Sequence, residues 1–270
     1  MPKYIISRLA YKVANCEITW VKNLLIQWFT KYYQVNMQEA VLENPNDYPN
    51  FDDFFVRELK SAVRPIANEP NAIISPVDGV VSQCGKITAG TMIQAKGKNF
   101  SVINLVGAEG KNFVDGDFIT LYLSPKDYHR VHMPVTGILD HMRVFPGKLF
   151  SVQPKVVTNV NEVYTRNERV ASFFSTNFGS MVVVLVGAII VGSIEMQWEG
   201  VVLQGGENTG KTEYSYRGSE IEVTQGSEIG QFRFGSTVIL LFPKDKVELN
   251  VTSGTPVKMG QVLGKTMNNE

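Results

Sequence analysis

From about Ile73 onward, short β-branched runs alternate with glycine turns at spacings of roughly eight to twelve residues, a rhythm that points to sheets folded as a sandwich or barrel. The longest apolar run, Met181 to Ile194, is broken by Gly187 and Gly192 and is rich in valine and isoleucine. It falls short of the roughly 20 residues a membrane-spanning helix needs and reads as a buried strand pair. Near the end, the glycines and valines of residues 251–264 are spaced as in compact β hairpins of the lipoyl-type hybrid fold. No lysine there sits in a turn suited to carry a lipoyl group, so that likeness is one of shape. The segment before Ile73 is different: helical spacings, then prolines at 45, 49, 65 and 70. The chain is therefore expected to be α+β, with amphipathic helices in residues 1–70 and a mainly antiparallel, β-sandwich or barrel-like domain in 71–270.

Within residues 4–33, Ile5, Leu9, Val13, Cys16, Trp20, Val21, Leu24, Leu25, Trp28 and Tyr32 recur at three- and four-residue spacings. Around them stand Lys3, Arg8, Lys12, Lys22 and Lys31 against the single acid Glu17. A basic, tryptophan-bearing amphipathic helix suits the headgroup layer of a bilayer, and packing against the protein core is the equal alternative. Phe51-Asp-Asp-Phe-Phe-Val-Arg-Glu-Leu59 reads as a short capped helix with Asp52 and Asp53 at its start. Over the whole chain charge is balanced, with 26 basic and 26 acidic residues, which gives no general attraction for nucleic acid. Cys16 and Cys84 lie in unrelated contexts, which points to a reducing compartment without a disulfide, and the first residues lack the short apolar core and small-residue cleavage site expected of a signal peptide.

Candidate chemistry gathers at a few places. Gly235-Ser236 stands at the mouth of the apolar run Thr237 to Phe242. An ordinary turn explains an isolated Gly-Ser pair, yet a glycine carbonyl is also open to a neighbouring nucleophile. Two of the three histidines, His129 and His132, share one segment, Leu121 to Pro134, and His141 has no assigned role. Asp78, in Pro-Val-Asp-Gly, fits a turn but is also the type of residue that orients a histidine, so Asp78, a histidine and Ser236 supply the parts of an activated nucleophile. Asp78, Asp127, Glu168 and Glu195 would have to complete any metal site, and no spacing singles out a set, so none is expected.

Phe-Gly-Ser-Thr at 234–237, Tyr-His-Arg-Val-His-Met-Pro at 128–134, Pro-Val-Asp-Gly at 76–79, Gln-Ala-Lys-Gly at 94–97, Arg-Asn-Glu-Arg at 166–169 and Val-Gly-Ala-Ile-Ile-Val-Gly-Ser-Ile-Glu at 186–195 together resemble bacterial phosphatidylserine decarboxylases. The likeness runs from the amphipathic start to near the end of the chain; Phe234 replaces the family's usual leucine, and the longer tail of some relatives is missing. It implies self-cleavage at Gly235-Ser236, giving a β chain, 1–235, and an α chain, 236–270, held as a heterodimer, and it allows a dimer of these. Residues 71–270 would be the catalytic domain, and Asp78, His132 and Ser236 the cleavage triad. Ser236 would attack the Gly235 carbonyl to give an ester, and elimination and hydrolysis would leave a pyruvoyl group and ammonia. That covalent cofactor, made from Ser236, would form a Schiff base with phosphatidylserine and act as electron sink, with His129 as the acid that protonates the product carbon near neutral pH. Arg130, Arg166 and Arg169 are candidates for the phosphodiester. The expected location is peripheral, on the cytoplasmic face of the cell's inner membrane. Two other readings use the same residues: a Ser-His-Asp hydrolase, which lacks the Gly-x-Ser-x-Gly elbow, and a non-enzymatic membrane-bound β-sandwich binding module.

Overall fold

A computed structural model describes residues 12–95, 97–188, 193–204, 207–208, 210–233 and 236–267. Gly235, Phe234, Lys3, Arg8, Ile5 and Leu9 lie outside the described residues. Helix α1 spans Thr19–Tyr33 and helix α2 spans Phe51–Phe55. From Ala72 the described chain is mainly strand, and its ladders are antiparallel. It is α+β, as expected, with sheets of nine, five, three and two strands and no barrel closure among the described residues.

The nine-stranded sheet is the middle layer of the molecule. Its central strand, Ser236–Phe242, pairs with Asp117–Leu123 on one side and Gly179–Val186 on the other. All seven residues of that strand are buried. Alternation along a strand sends successive side chains to opposite faces. Val238, Leu240 and Phe242 accordingly enter one core, with Val131, Ile194 and Phe232 of the five-stranded sheet. Ile239 and Leu241 enter a second core with Leu105, Val163 and Tyr164. Cover on both faces is why this strand and Gly179–Val186 read as unbroken apolar runs.

Helix α1 packs through a third, aromatic core. Ile26 and Phe29 face inward, where Phe29 meets Phe51, Phe54 and Phe55 edge-on at 5.0–6.0 Å between ring centroids. Two fully buried side chains of this size stabilise the packed helix by about 1.5–3 kcal/mol each. Trp20, Leu24, Trp28 and Tyr32, four residues apart, are 55–72% exposed and form an apolar stripe on the opposite side. Lys22, expected among the lipid-facing cations, is instead buried: its Nζ donates to Asn46 O (2.8 Å) and Tyr48 O (2.6 Å). The helix ends where Gln34 turns left-handed and its N–H bonds back to Thr30 O. Asn50 caps α2 by accepting from Asp53 N at 2.8 Å. No helix among the described residues is long and apolar enough to cross a membrane.

Candidate active site

Two chain segments pass side by side between the nine-stranded and five-stranded sheets. Asp117–Leu123 of the larger sheet is followed by residues 124–129 and by Arg130–His132 of the smaller. Glu228–Arg233 of the smaller sheet is followed, after two residues, by Ser236–Phe242 of the larger. Ser236 pairs with Leu123, and Phe232 N donates to His129 O at 3.0 Å, so each passage is tied to the other at both ends. The histidine segment therefore lies along the strand that runs up to Gly235-Ser236. A bulge between Glu228 and Gly230, opposite Val131 and His132, sets this register. Gly230 is required there because a Cβ would lie 2.5 Å from Glu195 O.

Ser236 is fully buried, and its Oγ has no hydrogen-bond partner among the described residues. By the two-residue period its side chain shares the face of Val238 and Leu240, toward the five-stranded sheet. An unmatched buried hydroxyl costs about 1–3 kcal/mol; Ser172, Ser193 and Thr237 are unmatched too, and Ser236 is set apart by following Gly235 at the head of the central strand.

His132 is nearly buried and doubly engaged. Its Nδ1 lies 2.8 Å from Gly226 O, and since a carbonyl only accepts, Nδ1 carries the proton. Nε2 is then the lone-pair nitrogen, 3.0 Å from the Tyr128 hydroxyl, which donates to it. Burial pushes the His132 pKa below the ordinary value, with the Gly226 bond acting the other way. The ring is thus neutral at pH 7 and presents a basic nitrogen.

His129 is fully enclosed, and its ring centroid lies 4.1 Å from that of Phe55. Neither ring nitrogen has a hydrogen-bond partner among the described residues. Burial, and after it the neighbouring Arg57 charge, pushes its pKa down to about 3. The expectation that this imidazole titrates near neutrality therefore does not hold for the uncut chain, because burial and Arg57 outweigh the Tyr128 backbone and Asp78, which favour the cation.

Asp78 is also buried, but its oxygens are committed elsewhere than His132. Arg64 Nε donates to Oδ1 (2.9 Å) and Arg64 Nη2 to Oδ2 (2.5 Å). Lys258 Nζ donates to Oδ2 at 3.1 Å and Met259 N to Oδ1 at 2.9 Å. Burial raises the Asp78 pKa, but these donors outweigh it and hold the carboxyl below its ordinary value. The tautomer of His132 is pinned by a backbone carbonyl, and Asp78 is the centre of a cationic cluster. Gly79 follows because a Cβ at this position would sit 2.3 Å from Tyr122 O.

Arg233, two residues before Gly235, is clamped. It pairs with the fully buried Asp52 of α2 and with Glu195 Oε2 at 3.0 Å. The other arginines singled out in the sequence are occupied in holding the fold. Arg130 pairs with Glu228 (3.0 Å) and donates to Val56 O (2.9 Å). Arg169 donates to four backbone carbonyls, those of Asn104, Leu105, Thr165 and Asn167. Arg166 lies over the Phe150 ring at 4.5 Å. Arg64, Arg233, Tyr128, Phe55 and the Gly226 carbonyl are the site groups that sequence reasoning passed over. Arg233 stood within the Gly-Ser stretch itself and was the one open to being noticed.

Comparison with known proteins adds the lineage. A family model described as phosphatidylserine decarboxylase matches residues 51–265, and a second, described as PSD, matches residues 1–34. The phosphatidylserine decarboxylase proenzyme of Pseudomonas fluorescens (strain Pf0-1) is 45% identical over 272 residues, covering 98% of this chain and 95% of the relative. That of Ectopseudomonas mendocina (strain ymp) is 46% identical over 270 residues, covering 98% and 94%. That of Shewanella woodyi (strain ATCC 51908 / MS32) is 45% identical over 273 residues, covering 98% and 95%.

Proposed function

The chain belongs to the phosphatidylserine decarboxylase family, and from that premise we propose that it cuts itself between Gly235 and Ser236 and then converts phosphatidylserine to phosphatidylethanolamine and CO2. One observation carries the reading: kinship to proenzymes over nearly the whole chain coincides with a buried serine whose hydroxyl is unmatched, at the head of the central strand. The hydrolase and the binding module are not favoured, since neither accounts for that kinship.

In the proposed maturation, the Tyr128 hydroxyl yields its place on His132 Nε2, which accepts the Ser236 hydroxyl proton, and Oγ adds to the Gly235 carbonyl carbon. The C–N bond breaks, the nitrogen takes up a proton and becomes the amine of residue 236, and an ester links the two residues. Loss of the Ser236 Cα proton expels the Gly235 carboxylate, and water then releases the nitrogen as ammonia. Asp78 supports this step indirectly, through the cluster that joins residue 64 to residues 258 and 259 on the far side of the cut. The residues fit a group made from Ser236, because the hydroxyl is present, enclosed and uncommitted. A pyruvoyl ketone there supplies the electron sink that loss of CO2 requires.

His129 acts in turnover as a neutral N–H donor to the carbon that loses its carboxylate. The apolar wall made with Phe55 favours the departure of charge, because a carboxylate is less well solvated there than the neutral CO2 it becomes. After scission, the fragment that begins at Ser236 stays held through the strand Ser236–Phe242 as the smaller half of a heterodimer. The stripe Trp20, Leu24, Trp28 and Tyr32 docks peripherally on the cytoplasmic face of the inner membrane, with Lys12 and Lys31 exposed toward anionic lipid.

Intact mass and a denaturing gel test the reading. The purified protein should give fragments 1–235 and 236–270, the smaller with a blocked amino end, and Ser236→Ala should give one inactive chain. A fully active preparation that remains uncut overturns it.

A further inference from the structure

Arg57 follows α2 and is 5% exposed. Its Nη2 donates to Lys126 O (2.7 Å) and Asp127 O (3.3 Å). Nε and Nη1 have no acceptor among the described residues and no contact with bulk water. Charged donors buried without acceptors are costly to keep, and a fold that retains them keeps them for an anion. Arg57 forms part of the wall of a cavity of about 180 Å³. The same wall carries Arg64, Lys126 and Lys258 against Glu39, Asp78 and Asp127, so four cations face three carboxylates. Arg64 and Lys258 are already matched to Glu39 and Asp78. That leaves Arg57 and the exposed Lys126 against Asp127, and Arg57 is the buried one of the two, with unmatched donors.

The cavity lies between the end of α1 and Tyr128. Gln34 and Asn36 line it just beyond α1, whose Trp28 and Tyr32 are exposed. Tyr128 lines it from the other side, with its hydroxyl on His132 and His129 as its neighbour in sequence. We propose that the Arg57 guanidinium binds the phosphodiester of the phospholipid substrate; the assignment rests on the decarboxylase reading. The phosphodiester carries the single negative charge that the wall leaves uncompensated. The serine carboxylate is the poorer candidate, because an arginine on it would stabilise the ground state and lose its partner as CO2 departs.

The two anions are separated by the reaction product, which keeps the phosphodiester and lacks the carboxylate. Mature Arg57→Gln enzyme is assayed on dihexanoyl phosphatidylserine, with dihexanoyl phosphatidylethanolamine as competitive inhibitor. KM and the inhibition constant should rise together, by about 10- to 100-fold, the range lost with one charge-assisted contact, while kcat falls much less. A raised KM with unchanged product inhibition would put the carboxylate on Arg57 and overturn the assignment, as would no change in either constant. Arg57→Lys, which keeps the charge and loses the planar fork, is measured in parallel and should show the same joint rise, smaller in size. If neither variant cuts itself, Arg57 serves maturation and the assignment is also overturned. Failure of the decarboxylase reading would look different, as wild-type protein that is cut or uncut but turns over no lipid.

Discussion

Replacing Asp78 by asparagine should remove the strongest buried charge cluster near the site while leaving its shape almost unchanged. Asp78 and Arg64 have side chains only 1% and 7% exposed, so their pairing is shielded from water and salt. Removing one member of such a pair typically costs about 3–5 kcal/mol, because the other charge stays buried. Two features reduce the cost here. Arg64 keeps Glu39 at 2.6 Å, and asparagine retains one acceptor for the Met259 N–H or for Arg64. The Lys258 contact adds little, since that side chain is 51% exposed. A loss of about 2–3 kcal/mol remains, which lowers a urea midpoint by about 1 M at a slope near 3 kcal/mol/M. The measurement is best made with Ser236→Ala in both proteins, so that self-cleavage does not intrude. Its pH course has a fixed sign. The folded carboxyl is held below its ordinary value, so its contribution is complete above the unfolded value of about 3.9 and disappears only as pH falls through the lower, folded one. The difference between the two proteins should therefore be flat from pH 5 to 8. A difference under about 0.5 kcal/mol, or one that fades within that range, would refute the view of Asp78 as the centre of a permanently charged cluster.

The two histidines should separate: His132→Ala remains one chain on a gel, whereas His129→Ala cuts itself and turns over poorly. Because burial depresses His132, its cleavage rate should stay level as pH falls from 8 past 6.5, and a decline centred at or above 6.5 speaks against a neutral base. Asp52→Asn should cost only about 1 kcal/mol, since burial outweighs Arg233 in setting that carboxyl and raises its pKa; pulse-chase gels should nonetheless show slower cutting, through the loosened Arg233. Trp20→Ala with Leu24→Ala and Trp28→Ala should leave the urea midpoint within about 0.5 kcal/mol in equivalent stability and weaken flotation with anionic vesicles by more than tenfold; undiminished flotation assigns the stripe another role.

How much of this was readable in the chain depends on the range of the interactions. The two buried strands of residues 181–194 and the cap of α2 were legible because period and local turn chemistry decide them. Ser236, His129 and His132 stood out as reactive types near one another in sequence or beside a glycine. Their partners were not legible. Arg64 reaches Asp78 across 14 residues, Met259 reaches it across 181, and the ring of Phe55 meets that of His129 across 74 positions. No spacing rule encodes such meetings. Helix α1 shows a second limit, since it carries two apolar stripes, and periodicity alone does not say which is covered. Phe29 is covered because Phe51, Phe54 and Phe55 lie opposite it, and Lys22 is withdrawn because the turn at residues 46–48 offers it carbonyls.

The position of the proposed cut reconciles two demands that otherwise conflict. A backbone bond can be broken usefully only where the new ends remain fixed, yet the attacking group must be hidden from water. Arg233 is held by Asp52 and Glu195 on one side of residues 234 and 235. On the other, Ser236–Phe242 is bonded along its length to Asp117–Leu123 and for five residues to Gly179–Val186. Val238, Ile239, Leu240, Leu241 and Phe242 are each fully buried, together of order 10 kcal/mol of apolar burial. That burial does not depend on the bond at 235/236, and Asp78 adds an ionic tie from the larger fragment to Lys258 and Met259 of the smaller. Scission at this junction therefore sacrifices chain connectivity where sheet pairing has already made it redundant, and it leaves residue 236 enclosed at the head of the central strand rather than at a loose end.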